Sequence, residues 1–413
     1  MRCTESAGRI NMSLLLSSIK TTELKSEELA LLVRRVRNLV RDSYDQINQN
    51  ADTLCALYKR IMQLARQEKE WYLYFNAIYE FLYINTRKDD YREIVKYAEI
   101  YYRDSALYMD RELPNYPGTD MRLTNILIYN LIFKAYLEFY QIDDTKMEAF
   151  MRQYELAVQK YGRQYNFYND ELDLALLYRD VNRAKNAAHH FLEQEKEIKS
   201  CYVCAHVNYL NYLLLTDQER QAEELMLDLI HKNIPLKHQW CYQYCEIAEP
   251  ANLYSRVLTA CIKYGKMEAF RYFYEKYWQK LPRESKGEQG GSVSVMPRLF
   301  YAYAGFFDRL EGDLRAVEES VENEKNYTTV DNVVCAVGWW LYFLLLDKSG
   351  VHEVTIRIPG LEADGDGKVS SLEISAYMEK KADEYGGKFS QARAKFDYHF
   401  LKESYRKCLL EER

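Results

Sequence analysis

Proline and glycine are scarce in this chain, at 7 and 16 of 413 residues. With so few interruptions, and with Leu, Ala, Glu, Lys, Arg and Gln filling stretches that strands would populate with Val and Thr, the chain reads as helical. A surplus of basic charge is also missing: 56 Lys and Arg stand against 62 Asp and Glu, a net charge of −6. No basic face is announced, so nucleic acid is not an expected ligand. Long apolar runs are absent as well. The start of the chain holds only Leu14-Leu15-Leu16, too brief for the core of a secretory signal. Asn332–Leu346 is the most apolar stretch, yet it is too short to cross a bilayer and reads as a buried helix, so no membrane is expected as a partner. Nine cysteines without a secretory context are expected to be the reduced thiols of a cytoplasmic protein. No Gly-rich phosphate loop, Gly-x-Ser-x-Gly or His-Glu-x-x-His run occurs. Nothing in the sequence compels an enzyme, and the expectation is that it is not one.

Tyrosine is what the chain has in excess, at 38 residues against 16 Phe and 5 Trp. Two readings fit. Tyr can cover half-buried helix surfaces, its ring packed and its hydroxyl wet, or it can line a groove that binds peptides at small entropy cost. The tyrosines run through nearly every segment, which favours the first.

Along the chain, residues 1–25 read as a loosely ordered leader. Ser26-Glu27-Glu28 makes a cap and an acidic first turn, and apolar residues then follow at helical spacing, opening an N-terminal helical region, 26–116. Pro114-Asn115-Tyr116-Pro117-Gly118 is a turn by composition. From there to 349 helix–turn–helix units can be counted. Four of their turns share a Gly, Asp or Thr, three residues, then Ala, beginning at Thr145, Asp180, Gly265 and Gly312. The polar residue or Gly would end one helix or cap the next, and Ala would let antiparallel helices approach. The run Lys-Met-Glu-Ala-Phe occurs twice, at 146–150 and 266–270. Residues 283–294, rich in Gly, Ser and charge, read as an inserted polar linker, expected to be mobile. Residues 350–413 read as a β-hairpin with helices.

A helix pair of about 34 residues is the tetratricopeptide period. With Pro235 and Pro282 closing pairs and Ala222, Ala269 and Ala316 at the small-residue positions, 121–326 resembles a tetratricopeptide-type array. A narrower resemblance rests on Cys201-x-x-Cys204, Cys245, Pro250, Tyr254, Gly265, the Val354–Pro359 run and Phe396-Asp397. It is to a group of largely uncharacterised bacterial tetratricopeptide-like proteins, in which an Arg-Asn-Gly run follows where this chain has Tyr398-His399-Phe400. The fold so implied is an all-α, right-handed superhelix of helix pairs with a small C-terminal cap of hairpin and helices.

Two clusters carry metal-ligand chemistry. Cys201 and Cys204 lie three apart at a helix start, and Cys241 and Cys245 lie four apart before the next unit, spacings that put each pair's sulfurs on one helix face. The 36 residues between Cys204 and Cys241 are about one repeat, so stacking would bring the pairs together as a structural zinc site. The alternative is that these are small buried apolar residues. The second cluster is the loop 362–373, which matches a calcium-binding EF-hand loop with Glu362, Asp364, Asp366, Ser370 and Glu373 as oxygen ligands. Its alternative is a hairpin, Val354–Ile358 pairing with Lys368–Ser370, followed by a helix from Ser371.

Stacked helix pairs leave a concave face free from core duty, suited to extended peptides or partner helices. In the resembling family the first helices of each pair line that face. On that basis Asn208, Tyr209, Tyr212, Asn252, Arg256, Tyr301 and Tyr303 are the expected contacts of a protein or peptide partner, in a scaffold or adaptor that can also self-associate. The alternatives are a receptor for a short signalling peptide and a structural switch driven by zinc or calcium.

Overall fold

The computed structural model describes residues 19–40, 49–88, 90–105, 122–162, 164–198, 201–243, 245–282, 295–322, 329–361 and 367–411. These residues are mostly α-helical, with one small two-stranded sheet. The expected leader up to residue 18 and the linker 283–294 lie outside them. The chain divides into two compact units, one drawn from Ala7–Phe139 and Thr145–Asp170, the other containing Tyr140–Asp144 and Glu171–Arg413.

The first unit contains α1 (Glu27–Leu39), α2 (Ala51–Glu68), α3 (Trp71–Arg87), α4 (Tyr91–Ser105) and α5 (Arg122–Glu138). As the sequence suggests, Ser26 caps α1 by accepting the Leu29 N–H. α3 is the central element, touching α2, α4 and α5. Its residues Leu73, Ile78, Phe81 and Leu82 are fully buried, so the helix is apolar nearly all round, as a helix enclosed by neighbours must be. Most of α6 (Asp144–Tyr161) and the start of α7 (Gln164–Tyr178) belong to this unit too.

The second unit continues through α8 (Val181–Glu193), α9 (Tyr202–Leu215), α10 (Glu219–Ile230), α11 (Pro250–Lys263) and α12 (Met267–Phe273). α12 runs on as a π-helical turn over Tyr274–Trp278. Then come α13 (Val295–Tyr303), α14 (Leu310–Glu322) and α15 (Val330–Lys348). Strands β1 (Glu353–Thr355) and β2 (Lys368–Ser370) pair antiparallel, Val354 opposite Val369, which is the hairpin reading of this stretch. α16 (Ser371–Ala392) and α17 (Tyr398–Arg406) follow. α9 packs on α10 and on α11, α11 on α12 and on α13, and α13 on α15. Gly338 lets α15 approach α13 closely, because a Cβ there would stand 2.6 Å from Val295 Cγ1.

The turns between helices are tighter than the sequence pattern implies. The residues taken as turns at 145–149, 267–269 and 312–316 are already helical, in α6, α12 and α14. Instead, the first helix of a pair ends on one left-handed residue, and the next residue's N–H reaches back five positions. Lys69, Arg179, Asp217 and Gly265 have φ of 59°, 53°, 57° and 71°. Their followers Glu70, Asp180, Gln218 and Lys266 donate to Ala65, Ala175, Leu213 and Cys261 at 2.8–2.9 Å. This helix-terminating motif satisfies carbonyls the helix leaves open. Of the template alanines, Ala184, Ala269 and Ala316 are buried in the second helices, as is Ala222, while Ala149 is half-buried.

α15 is 19 residues long, longer than the apolar stretch read from the sequence, and is long and apolar enough to cross a membrane by length and composition alone. It is, however, 72% buried within the fold, against α13 and α16.

The tyrosine excess has a structural account: hydroxyls clip neighbouring elements to carboxylates. Tyr74 donates to Asp104 at 2.6 Å, Tyr154 to Asp170 at 3.1 Å, Tyr178 to Asp144 at 2.8 Å, Tyr342 to Asp313 at 2.7 Å and Tyr398 to Asp383 at 2.7 Å. A ring buried against apolar neighbours with its hydroxyl on a carboxylate joins packing to a charge-assisted hydrogen bond.

Candidate functional site: a thiol cluster beside a polar helix face

Of the four cysteines singled out by spacing, Cys201, Cys204 and Cys245 converge, and Cys241 lies beside Cys201. Cys201 is the residue before α9 and Cys204 lies in its first turn. Cys241 lies on a 3₁₀ segment, Leu236–Gln243, and Cys245 just beyond it. The second pair therefore does not share an α-helical face as its spacing suggests. A turn, Cys245 N–H to Cys241 O at 2.7 Å, folds it instead. The sulfurs of Cys201, Cys204 and Cys245 all lie within 4.8 Å of one another, and that of Cys204 is 3.7 Å from that of Cys245. In a tetrahedral zinc–thiolate site with bonds of about 2.3 Å the sulfurs stand about 3.8 Å apart. Cys241 completes the group from the side, its thiol hydrogen-bonded with Cys201 and its sulfur accepting the Tyr202 N–H at 3.3 Å. The Cys201 thiol and burial push the Cys241 pKa far up. Cys201, Cys241 and Cys245 are buried and Cys204 is half-buried. The three mutually close sulfurs can hold a metal ion.

A polar layer borders the cluster. Tyr202 stacks on His206 with ring centroids 3.8 Å apart and lies 5.0 Å from His238. Glu195 accepts from the Tyr202 hydroxyl and meets His206 Nε2 at 3.2 Å, while His206 Nδ1 faces the Tyr202 carbonyl at 2.9 Å. The His206 hydrogen bond, with help from Tyr202, holds the Glu195 carboxyl down at about 2. His238 is 3% exposed, and neither ring nitrogen has a hydrogen-bond partner among the described residues. Burial is the main cause of its lowered pKa, so its ring is neutral near pH 7. Glu195 and His238 carry no sequence signal for this role, because the short 3₁₀ segments they lie on leave no apolar period to read.

The expected partner-contact residues divide. Asn208, Tyr209 and Tyr212 on α9, Asn252 and Arg256 on α11, and Tyr303 on α13 are half-buried. Tyr301 is buried, its hydroxyl donating to Asp308 at 2.5 Å. Tyr209 and Tyr212 stack on each other and pack against the core formed by Leu172, Ala175, Ala184 and Leu215, and Tyr303 packs on Phe270 and Tyr274. Asn252 donates to the Glu246 carbonyl at 2.7 Å. On α11 the half-buried residues Asn252, Arg256, Thr259 and Lys263 recur at helical spacing and form one polar stripe.

Of the calcium-ligand set, Glu362, Asp364 and Asp366 lie outside the described residues. Ser370 and Glu373 form the capping box of α16: the Ser370 hydroxyl accepts the Leu372 N–H at 3.2 Å and Glu373 accepts the Ser370 N–H at 3.4 Å.

Comparison with protein-family models, with curated proteins and with solved structures returned no match.

Proposed function

We propose that the chain is a non-enzymatic protein- or peptide-binding scaffold whose second unit is a tetratricopeptide-like superhelix. The observation that carries this reading is the succession α9 on α11, α11 on α13 and α13 on α15, with α10 and α12 packed against their own first helices. Neighbour-on-neighbour packing of helix pairs is how solenoids build a continuous core and a partner face. The stripe Asn252, Arg256, Thr259 and Lys263, with Asn208 and Tyr212 on the preceding first helix, supplies amides, a guanidinium and an aromatic ring, a chemistry suited to an extended peptide. Selection of binders from a random peptide display library tests the reading. The selected peptides are expected to bind the wild type and to lose about tenfold or more in affinity to the folded Asn208→Ala/Tyr212→Ala/Arg256→Ala variant. Equal binding to both, or no selected peptide at all, sinks it.

A second reading concerns the thiol cluster, and the mutual spacing of the Cys201, Cys204 and Cys245 sulfurs favours it: these three, with Cys241 beside them as the fourth ligand, hold a structural zinc ion that joins α9 to the segment leading into α11. Elemental analysis of protein purified without chelator is expected to give close to one zinc per chain. A metal-free protein rules this out.

A further inference from the structure

We propose that His238 donates a ring N–H to the Cys201–Cys241 edge of the zinc–thiolate centre, making it the positioning residue that stabilises the centre's charge. This rests on the reading of the four cysteines as a zinc site.

The first ground is an unmet requirement. A buried imidazole whose two nitrogens lack partners costs on the order of 1–3 kcal/mol per unsatisfied group, and such an exception calls for a ligand or a charge that supplies the partner. The second is placement. A 3₁₀ helix has 3.0 residues per turn, so His238 and Cys241 fall on the same edge of the Leu236–Gln243 segment. Cys241 in turn touches Cys201. The third is that the described polar groups bordering it are engaged elsewhere. The Tyr202 hydroxyl and His206 Nε2 both engage Glu195, and His206 Nδ1 faces the Tyr202 carbonyl, so this bordering layer is already committed.

The chemistry then follows. Binding Zn²⁺ displaces the protons of four thiols and leaves a centre of net charge −2, buried on three of its four cysteines. Thiolates in that setting require N–H donors. The Tyr202 N–H already points at the Cys241 sulfur, and His238 offers the side-chain donor. The three mutually close donor atoms are the sulfurs of Cys201, Cys204 and Cys245, Cys241 joins them through its hydrogen bond with Cys201, and His238 is assigned as a donor to that Cys201–Cys241 edge.

Metal affinity of the full chain, measured by chelator competition, and the absorption spectrum of the Co²⁺-substituted protein test this together. His238→Leu is expected to bind zinc about 10- to 100-fold more weakly than wild type, with an unchanged all-sulfur Co²⁺ spectrum. His238→Gln, which keeps an N–H donor, is expected to recover most of the loss. His238→Ala replaces the leucine variant should that one not fold. Affinity of the leucine or alanine variant within about twofold of wild type overturns the role of His238 and leaves the zinc site standing. A Co²⁺ spectrum that changes in that variant overturns it as well, by making His238 a ligand. Absence of metal binding by the wild type overturns the zinc site itself, and the role with it.

Discussion

The Phe400 ring lies with its centroid 3.4 Å from the Arg179 guanidinium carbon. The far edge of the same ring faces Gly265, where a Cβ would stand 2.9 Å from Phe400 Cζ. Arg179 and Gly265 are both left-handed helix-ending residues, so one aromatic ring of α17 holds two of the repeated turns. Asp397 assists by capping α17 at the Phe400 N–H, 2.9 Å, and pairing with Arg179 at 3.1 Å. Phe400→Ala is therefore expected to lower stability by about 2 kcal/mol, from lost apolar contact and the lost cation–π interaction. Urea unfolding of the two proteins checks it, and a midpoint equal to wild type contradicts the clamp.

Substitution at the left-handed turn residues is expected to act with opposite signs. Gly265→Ala forces a Cβ into both an unfavourable φ and the Phe400 ring, and should cost about 2 kcal/mol or more. Lys69→Gly relieves a left-handed, exposed lysine and should stabilise by about 0.5–1 kcal/mol. Thermal unfolding of both variants would move in the same direction only if the turn geometry were wrong.

Gly386 gives a sharper steric test, because a Cβ there would lie 2.2 Å from the Tyr398 ring. Gly386→Ala should displace Tyr398 from Asp383 and destabilise by about 1–3 kcal/mol. The environment of Tyr398, followed by near-ultraviolet dichroism or NMR, should change with it.

Glu195 makes stability fall in acid. Its folded pKa is held down at about 2, first by the His206 hydrogen bond and also by Tyr202, against an unfolded value near 4.5. The stabilisation is complete above pH 4.5 and is lost as pH falls through about 2. Glu195→Gln should flatten that part of the profile in denaturant titrations between those values. An unchanged slope would show that the carboxylate is not coupled to folding.

Glu80 works in the other direction. It is fully buried in α3, neither carboxylate oxygen has a hydrogen-bond partner among the described residues, and burial raises its pKa well above 4.5. A raised carboxyl pKa favours the folded state below pH 4.5 and withdraws that stabilisation as pH rises. Glu80→Gln is thus expected to be more stable than wild type at pH 7–8, with the gap closing toward pH 4.

Local features were readable from residue order because their causes are local. Ser26 as the α1 cap, Gly265 as a helix end, the Val354 and Val369 hairpin strands and the helix starting at Ser371 all depend on residues within a few positions. The long apolar run of 332–346 likewise announced a buried helix, though not its full length. The left-handed residues Lys69 and Arg179 gave no such signal, because an ordinary long side chain occupies each position and the fold bears the cost.

The sequence raised convergence across elements as an expectation, from the repeat-length spacing of the cysteine pairs, but not its geometry. Spacing placed Cys201 and Cys204 one helical turn apart and put Cys241 and Cys245 about a repeat away. Only the packing of α9 against the 3₁₀ segment and α11 brought Cys204 and Cys245 to 3.7 Å. The same packing buried His238 without partners and set Phe400 between two turns. Periodicity determines which face of a helix is apolar, but the angle and distance at which two such faces meet are set by every side chain between them. The helical class thus belongs to the sequence alone, and the thiol cluster to the tertiary structure.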